Sequence, residues 1–490
     1  MSWARLSTLL GIPALRAAPR DVHLLYLSRL LRTAAFGSTG VILAVFLSSL
    51  GHSEIRVGAF MTLTLMGDVM LSLVLTNYAD QFGRRRTTIL GSGLMVVSGI
   101  VFTIASNYWV LLAAAVFGVI SPSGNEIGPF RALEEGMLAS LSAGLDMSSI
   151  FAWHVVAGTL GVSAGTFSAG WIMAALQKLL GWSEQLSYRG IFVAYAFIGT
   201  AKLIVALCLS DASELEPRRK HMNAVDSEES QSMLQSEATA TKDRSTHGVV
   251  RRLLSAFIPS ISPSTRSVLW KLCLLFAVDS FASGIVAFTL LSFYLKSRFQ
   301  APMSLLSSLL AIPFLLSAIS SLLASPISKK LGLLPTMTLT HLPSAILLGL
   351  LPLAPTLELA CVLLSLRAAL STMDQGPRSV FLAQVVKPEE RIKVMGVVNT
   401  IKTLAQSAGP TITGGLAKAG YFGTAFILGG ALKASYDIGL IIWWLSDRKV
   451  AKTHEYALAA TSDSESVGES NPSNAGLTFQ PSEGSRQFER

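Results

Sequence analysis

Asn77-Tyr-Ala-Asp-Gln-Phe-Gly-Arg-Arg-Arg86 lies at the junction of two long apolar stretches, 57–79 and 87–106. A connection this short and this charged cannot sit in hydrocarbon, so it marks one face of a membrane. Asp80 is placed to accept hydrogen bonds from the free N–H groups that open the next helix, where the dipole also favours an anion. Gly83 permits the tight reversal. Arg84, Arg85 and Arg86 assign the loop to the cytoplasmic side.

The composition agrees with a membrane chain. Of 490 residues, 51% are hydrophobic and only 14% charged, which an ordinary soluble domain does not show. The net charge of +9 does not imply nucleic acid as a partner, because no soluble basic domain carries it. Cationic inside loops account for it. Cys208, Cys273 and Cys361 fall in apolar segments and read as small core residues, without metal-ligand or disulfide spacing. No cleavable signal peptide is evident before the first apolar run.

A span takes about 20 mostly apolar residues. Twelve are expected: 22–50, 57–79, 87–106, 108–131, 150–176, 189–210, 268–295, 303–326, 333–352, 356–383, 394–417 and 421–446. The fold class is therefore all-α integral membrane, with twelve transmembrane helices in two pseudo-symmetric halves. Residues 1–21 form a cytoplasmic N-terminal segment, 22–210 and 267–446 the two six-helix halves. Segment 211–266, rich in Ser, Glu, Lys and Arg, is expected to be a disordered cytoplasmic linker, and 447–490 a disordered cytoplasmic tail. Twelve short-loop Lys and Arg residues fall on the Arg84 side and six on the other, which places both termini in the cytoplasm.

The halves repeat. Glu126-Ile-Gly128-Pro129 in the fourth span matches Asp374-Gln-Gly376-Pro377 in the tenth. Thr159-Leu-Gly-Val-Ser-Ala-Gly165 in the fifth matches Thr403-Leu-Ala-Gln-Ser-Ala-Gly409 in the eleventh. A Gly-Pro step removes one helix hydrogen bond and admits close backbone approach. Bending is thus expected at Gly128-Pro129, Gly376-Pro377 and Gly409-Pro410. Gly158, Gly161, Gly165 and Gly170 give the fifth span a small-residue face for tight packing.

Ionisable residues inside a membrane are costly and therefore functional candidates. Asp68 lies about 16 Å deep at 1.5 Å per residue, and Asp279 is comparably deep in the seventh span. Arg367 and Asp374 share one face of the tenth, and Glu126 lies nearer the inner end of the fourth. Each could carry protons or touch substrate; Arg367 could hold an anionic group or pair with an acid. The structural alternative is that Arg367, Asp374 and Glu126 lock an inner gate through ion pairs. Lys433 and Asp437, at i,i+4, are expected to neutralise each other. Arg29, Arg32 and Lys402 are expected to snorkel to the interface, and Trp443 to join an interfacial belt. His154 reads as a titrating or a packing histidine.

Asp80-Gln-Phe-Gly83-Arg84-Arg85 resembles the loop signature Asp-x-x-Gly-Arg-Arg/Lys that members of the major facilitator superfamily carry between their second and third helices. Pro388-Glu-Glu-Arg391 is similar to that family's tenth-to-eleventh loop. Thr76 stands where the family has glycine. The resemblance covers about residues 22–446. It implies an inner gate of Asp80, Gly83, Arg84 and Arg85 with Arg131 as partner, and a substrate site between the halves. With no Gly-x-x-x-x-Gly-Lys-Ser/Thr loop and no His-Glu-x-x-His, neither a primary pump nor an enzyme is expected. The expected function is secondary transport of a small solute by alternating access, coupled to protons. An uncoupled facilitator and a transporter-like sensor without flux remain the alternatives. The partners are a small-molecule substrate, protons and the lipid bilayer, with no cofactor and no metal. The chain is expected to be monomeric, in a plasma or organelle membrane.

Overall fold

In hydrocarbon every backbone N–H and C=O needs an internal partner, so apolar runs of span length fold as helices. The computed structural model describes residues 11–118, 120, 129–142, 146–214, 263–375, 377–378, 381, 386 and 391–446. Among them all regular structure is helical. A short α1 (Ile12–Ala17) precedes a first span made of α2 (Arg20–Gly40) and α3 (Leu43–Ser49). Next come α4 (Glu54–Phe82), α5 (Arg84–Ile104), a fourth span of α6 (Tyr108–Phe117) and α7 (Pro129–Leu141), then α8 (Met147–Leu180) and α9 (Glu184–Leu207). The second set opens with α10 (Pro263–Ile285) and α11 (Phe288–Phe299) as one interrupted span. It continues with α12 (Met303–Leu331), α13 (Leu333–Leu350), α14 (Leu357–Thr372), α15 (Arg391–Lys418) and α16 (Thr424–Ser446).

Nine helical segments among the described residues are long and apolar enough to cross a bilayer. The fourth, tenth and eleventh spans fall outside that set. α6 and α14 are short, and α15 carries Arg391, Lys393, Asn399, Lys402 and Gln406. The fourth span also runs ten residues past its expected end at Arg131, to Leu141. That extension brings Glu134 into the bundle.

The expected bending sites fall only partly within the described residues. Gly128 and Gly376 lie outside the described residues, Pro129 simply opens α7, and Pro377 lies beyond the end of α14. α15 runs uninterrupted through Gly409-Pro410. The first and seventh spans are interrupted at Val41–Ile42 and Val286–Ala287, with no proline at either. Neighbouring hydroxyls bond the carbonyls there. Thr166 Oγ1 donates to Gly37 O at 3.3 Å, and Thr413 Oγ1 donates to Ile285 O at 2.6 Å. Ser292 Oγ donates to Val41 O at 2.6 Å, tying the break of one half to a helix of the other. A side chain that replaces water in this way is what permits irregular backbone at membrane depth.

Two glycines let those hydroxyls come so close. A Cβ at Gly165 would overlap the Ala34 carbonyl on α2, and one at Gly409 would overlap the backbone of Gly284–Ile285 on α10. The role of Gly409 is therefore close helix contact. The halves meet along α4·α15 and α8·α12. At the expected start of the linker, Asp211–Ser213 forms a short turn and the Glu214 carboxylate accepts from the backbone at the start of α5. Residues 215–262 and 447–490 lie outside the described ones.

Replacing Gly165 by Val should lower stability by about 1–3 kcal/mol, because a carbonyl oxygen cannot move aside as a side chain can. Gly415, with open space around its Cα, should accept Ala without loss. Thermal unfolding of the purified protein in detergent reads both.

Candidate transport site

A buried carboxylate is tolerated only where cations and hydrogen bonds replace its water. Asp279, halfway along the interrupted seventh span, is 5% exposed and is surrounded by them. Lys433 Nζ on α16 lies 2.7 Å from Asp279 Oδ1, and Arg378 Nη1 2.8 Å from Oδ2. His341 Nε2, from α13, is 3.5 Å from Oδ1. Arg378 also pairs with Asp374 one turn before it. Lys433 reaches Ser283 Oγ at 2.8 Å, and His341 Nδ1 is 2.8 Å from Asp437 Oδ2. The guanidinium of Arg378 rests on Tyr436 and Phe276, 5.1 and 5.4 Å from the ring centroids. Four spans are thus drawn to one carboxylate.

This geometry corrects the pairing expected from spacing. Lys433 and Asp437 are one turn apart, but Lys433 turns to Asp279 while Asp437 bonds His341. Asp374 pairs with Arg378, not with Arg367. Lys402 stays inside, its Nζ 5.6 Å from the Phe276 ring centroid. Trp443 is buried as well, its ring beneath Lys271 and beside Phe381.

Beside the cluster lies a cavity of about 260 Å³, walled by Asp279, His341, Arg367, Asp374, Arg378 and Lys433. Thr159 of α8 closes it from the first half and Phe314 of α12 from the second. Three cations therefore face two carboxylates. Arg367, about 15 Å along α14 at 1.5 Å per residue, leaves its buried Nε without a hydrogen-bond partner among the described residues.

The first half holds a smaller cluster around Glu134, 1% exposed, which the expected end of the fourth span had placed outside the bilayer. Arg32 Nη2 lies 2.6 Å from its Oε2, Arg29 Nη1 3.9 Å and His154 Nε2 3.8 Å. Arg29 and Arg32 thus point inward and do not snorkel. Gly158 makes room for the Arg29 guanidinium, whose Nε would sit 2.7 Å from a Cβ there. Glu126 lies outside the described residues. Asp68 is 1% exposed, and neither carboxylate oxygen has a hydrogen-bond partner among them. An uncompensated ion in such a place costs several kcal/mol.

At the loop after α4, Gly83 adopts φ 102° and starts α5. The side chain of Asp80 lies outside what the structure describes. The orphan N–H groups of Arg84 and Arg85 donate to Glu214, at 2.6 and 3.1 Å. Arg85 further binds Asp211 at 2.9 Å and the Leu207 carbonyl at 3.0 Å. Arg131 pairs along its own helix with Glu135 at 2.7 Å.

A helical bundle of membrane-spanning segments around a charged central cavity defines a multi-pass membrane transport protein. The profile of the Major Facilitator Superfamily matches residues 25–270 and 272–474, and the chain belongs to that family. Membership makes it a transporter and not an enzyme. It is 36% identical over 447 residues to an uncharacterized membrane protein of Saccharomyces cerevisiae, covering 89% of this chain and 97% of that one. Solved structures share the fold. A proton dependent oligopeptide transporter structure superposes with TM-score 0.64 at 15% identity, covering 89% of this chain and 99% of that one. The nucleoside transporter NupG gives 0.61 at 13%, covering 86% and 99%.

A double-mutant cycle tests the pairing. Asp279→Asn with Lys433→Met should show a coupling energy of about 1–3 kcal/mol in thermal unfolding. Lys433→Met with Asp437→Asn should show less than half of that; the reverse ranking would restore the one-turn pair.

Proposed function

We propose that this protein is a secondary active transporter that moves a small solute by alternating access, with protons as the coupling ion. The observation that carries this reading is the charged cavity at mid-depth, walled by helices of both halves beneath a zone where the halves touch. That zone lies at the end of the bundle opposite the Gly83 loop. There Thr411 Oγ1 donates to Thr62 Oγ1 at 2.8 Å, Trp171 Nε1 donates to Ser308 Oγ at 3.0 Å, and Lys296 lies 3.5 Å from Glu184. A Cβ at Gly58 would overlap the Pro410 carbonyl. Parting these contacts while closing the Gly83 end would expose the cavity to the other side. Twelve basic residues against six support a cytoplasmic Gly83 end and cytoplasmic termini.

Asp279 is the proposed coupling residue, with Asp68 as a second proton site. A proton on Asp279 would cancel the charge that holds Lys433 and Arg378, loosening the join of α10 to α16 and to the tenth span. Asp80, Gly83, Arg84, Arg85 and Arg131 form the proposed inner gate. The six-helix halves at 22–210 and 267–446, the linker and tail, and a monomeric state complete the reading.

Two experiments test it. Cysteines at Thr62 and Thr411, in a chain with Cys208, Cys273 and Cys361 replaced by Ala, should crosslink on oxidation and stop flux, with recovery on reduction. Flux that survives full crosslinking would overturn alternating access at this end. Asp279→Asn in proteoliposomes should abolish gradient-driven accumulation while retaining exchange. Accumulation by the wild type that ignores the proton gradient would identify a facilitator, and binding without flux a sensor.

A further inference from the structure

We infer that Arg367 is the solute-binding cation of the cavity, and that the solute carries a single oxyanion, a carboxylate or a phosphate. This rests on the transport reading above and adds to it a substrate class. Its basis is an account of which charges in the cavity are already used. Both oxygens of Asp279 are taken by Lys433 and Arg378. Asp374 is taken by Arg378, and Asp437 by His341. Arg367 lines the same space, feels Asp279 only through space, and has a buried Nε with no hydrogen-bond partner among the described residues.

The net charge of the lining agrees. Arg367, Arg378 and Lys433 outnumber Asp279 and Asp374 by one. Among the described residues, widening the circle adds Lys402 and Asp437, one of each sign, and leaves the excess of one cation unchanged. A guanidinium on the wall of a cavity inside the bundle, its Nε buried without a counter-ion, is costly, and a planar oxyanion that binds its fork reduces the cost. Among the described lining residues a cationic solute has no carboxylate left to meet, since Asp279 and Asp374 each already hold a base. The hydroxyls of Ser371 and Thr372, also on the lining, already donate to the Ala368 carbonyl, so the Arg367 guanidinium itself supplies the contact. The cavity of about 260 Å³ suits a small molecule.

The test uses thermal unfolding of the full chain in detergent with paired probes: lactate against lactamide, acetate against acetamide, then inorganic phosphate and chloride. At least one oxyanion should stabilise the wild type with an apparent affinity about tenfold or more above its neutral partner, the worth of one hydrogen bond to a charged group. Lactate or acetate without phosphate would identify the carboxylate, and phosphate alone would identify the phosphate. Arg367→Gln should erase the preference, and Arg367→Lys should keep part of it. If Arg367→Gln does not fold, the neutral-versus-anion comparison in the wild type and the Lys variant still decides. Equal stabilisation by amide and acid, stabilisation by chloride alone, or no stabilisation by any oxyanion would overturn the inference. Counterflow of the bound probe in proteoliposomes then separates the two readings. Binding through Arg367 without counterflow removes transport and leaves the site; counterflow of neutral amides at the rate of acids removes the site and leaves transport.

Discussion

The carboxylate of Asp279 cannot be left alone in a bilayer, and that constraint shapes half of this molecule. Removing one charge from water costs several kcal/mol, recovered only through close cations and hydrogen bonds. Lys433, Arg378 and His341 meet that demand from three other spans, and Asp374, Asp437 and Ser283 in turn meet theirs. The second half is therefore joined at its centre by polar contacts, while its outer surfaces are free to be Leu and Ile. Because each member depends on the next, a change of charge at one atom is felt by four helices. A low-dielectric interior sharpens that dependence.

The first half solves a similar problem with the signs reversed. There the acid, Glu134, belongs to the fourth span and its bases, Arg29 and Arg32, to the first. In the second half the acid belongs to the seventh span and Arg378 to the tenth. Each half also lends a histidine, His154 or His341. The two clusters differ in what surrounds them: the second borders an open cavity with Arg367 on its wall. On the proposed role of Arg367, the second half receives the solute, while the Glu134 cluster holds helices of the first together.

Much of this was legible in the sequence. Hydropathy and the charged loop at Asp80–Arg86 define the spans and the family, because a bilayer sets strict terms of length and polarity. Asp279, Asp374 and Arg367 stood out as charges at depth. Their partners did not, since pairing across helices has no signature in linear spacing. Lys433 and Asp437 looked like a local pair for that reason. Glu134 escaped notice because it lies past the expected end of the fourth span, whereas Arg378, inside the expected tenth, was overlooked beside Asp374; the helix carrying Glu134 continues past its apolar run once Arg32 supplies a counter-charge. The helix breaks at Val41 and Val286 were equally hidden. Proline and glycine mark breaks that local chemistry causes, whereas these are stabilised by hydroxyls arriving from other helices.

Thr166 and Thr413 stand 247 residues apart, and their acceptors, Gly37 and Ile285, stand 248 apart. Yet the match of Gly165 with Gly409 sets Thr166 against Pro410, so the two donors are not repeat partners. The halves brace the carbonyls beside their interrupted helices with the same kind of bond, sent from positions about one helical turn apart. Sliding the fifth span along the first, or the eleventh along the seventh, would strip a carbonyl of its donor. Each interruption therefore acts as a register stop for the helix packed against it.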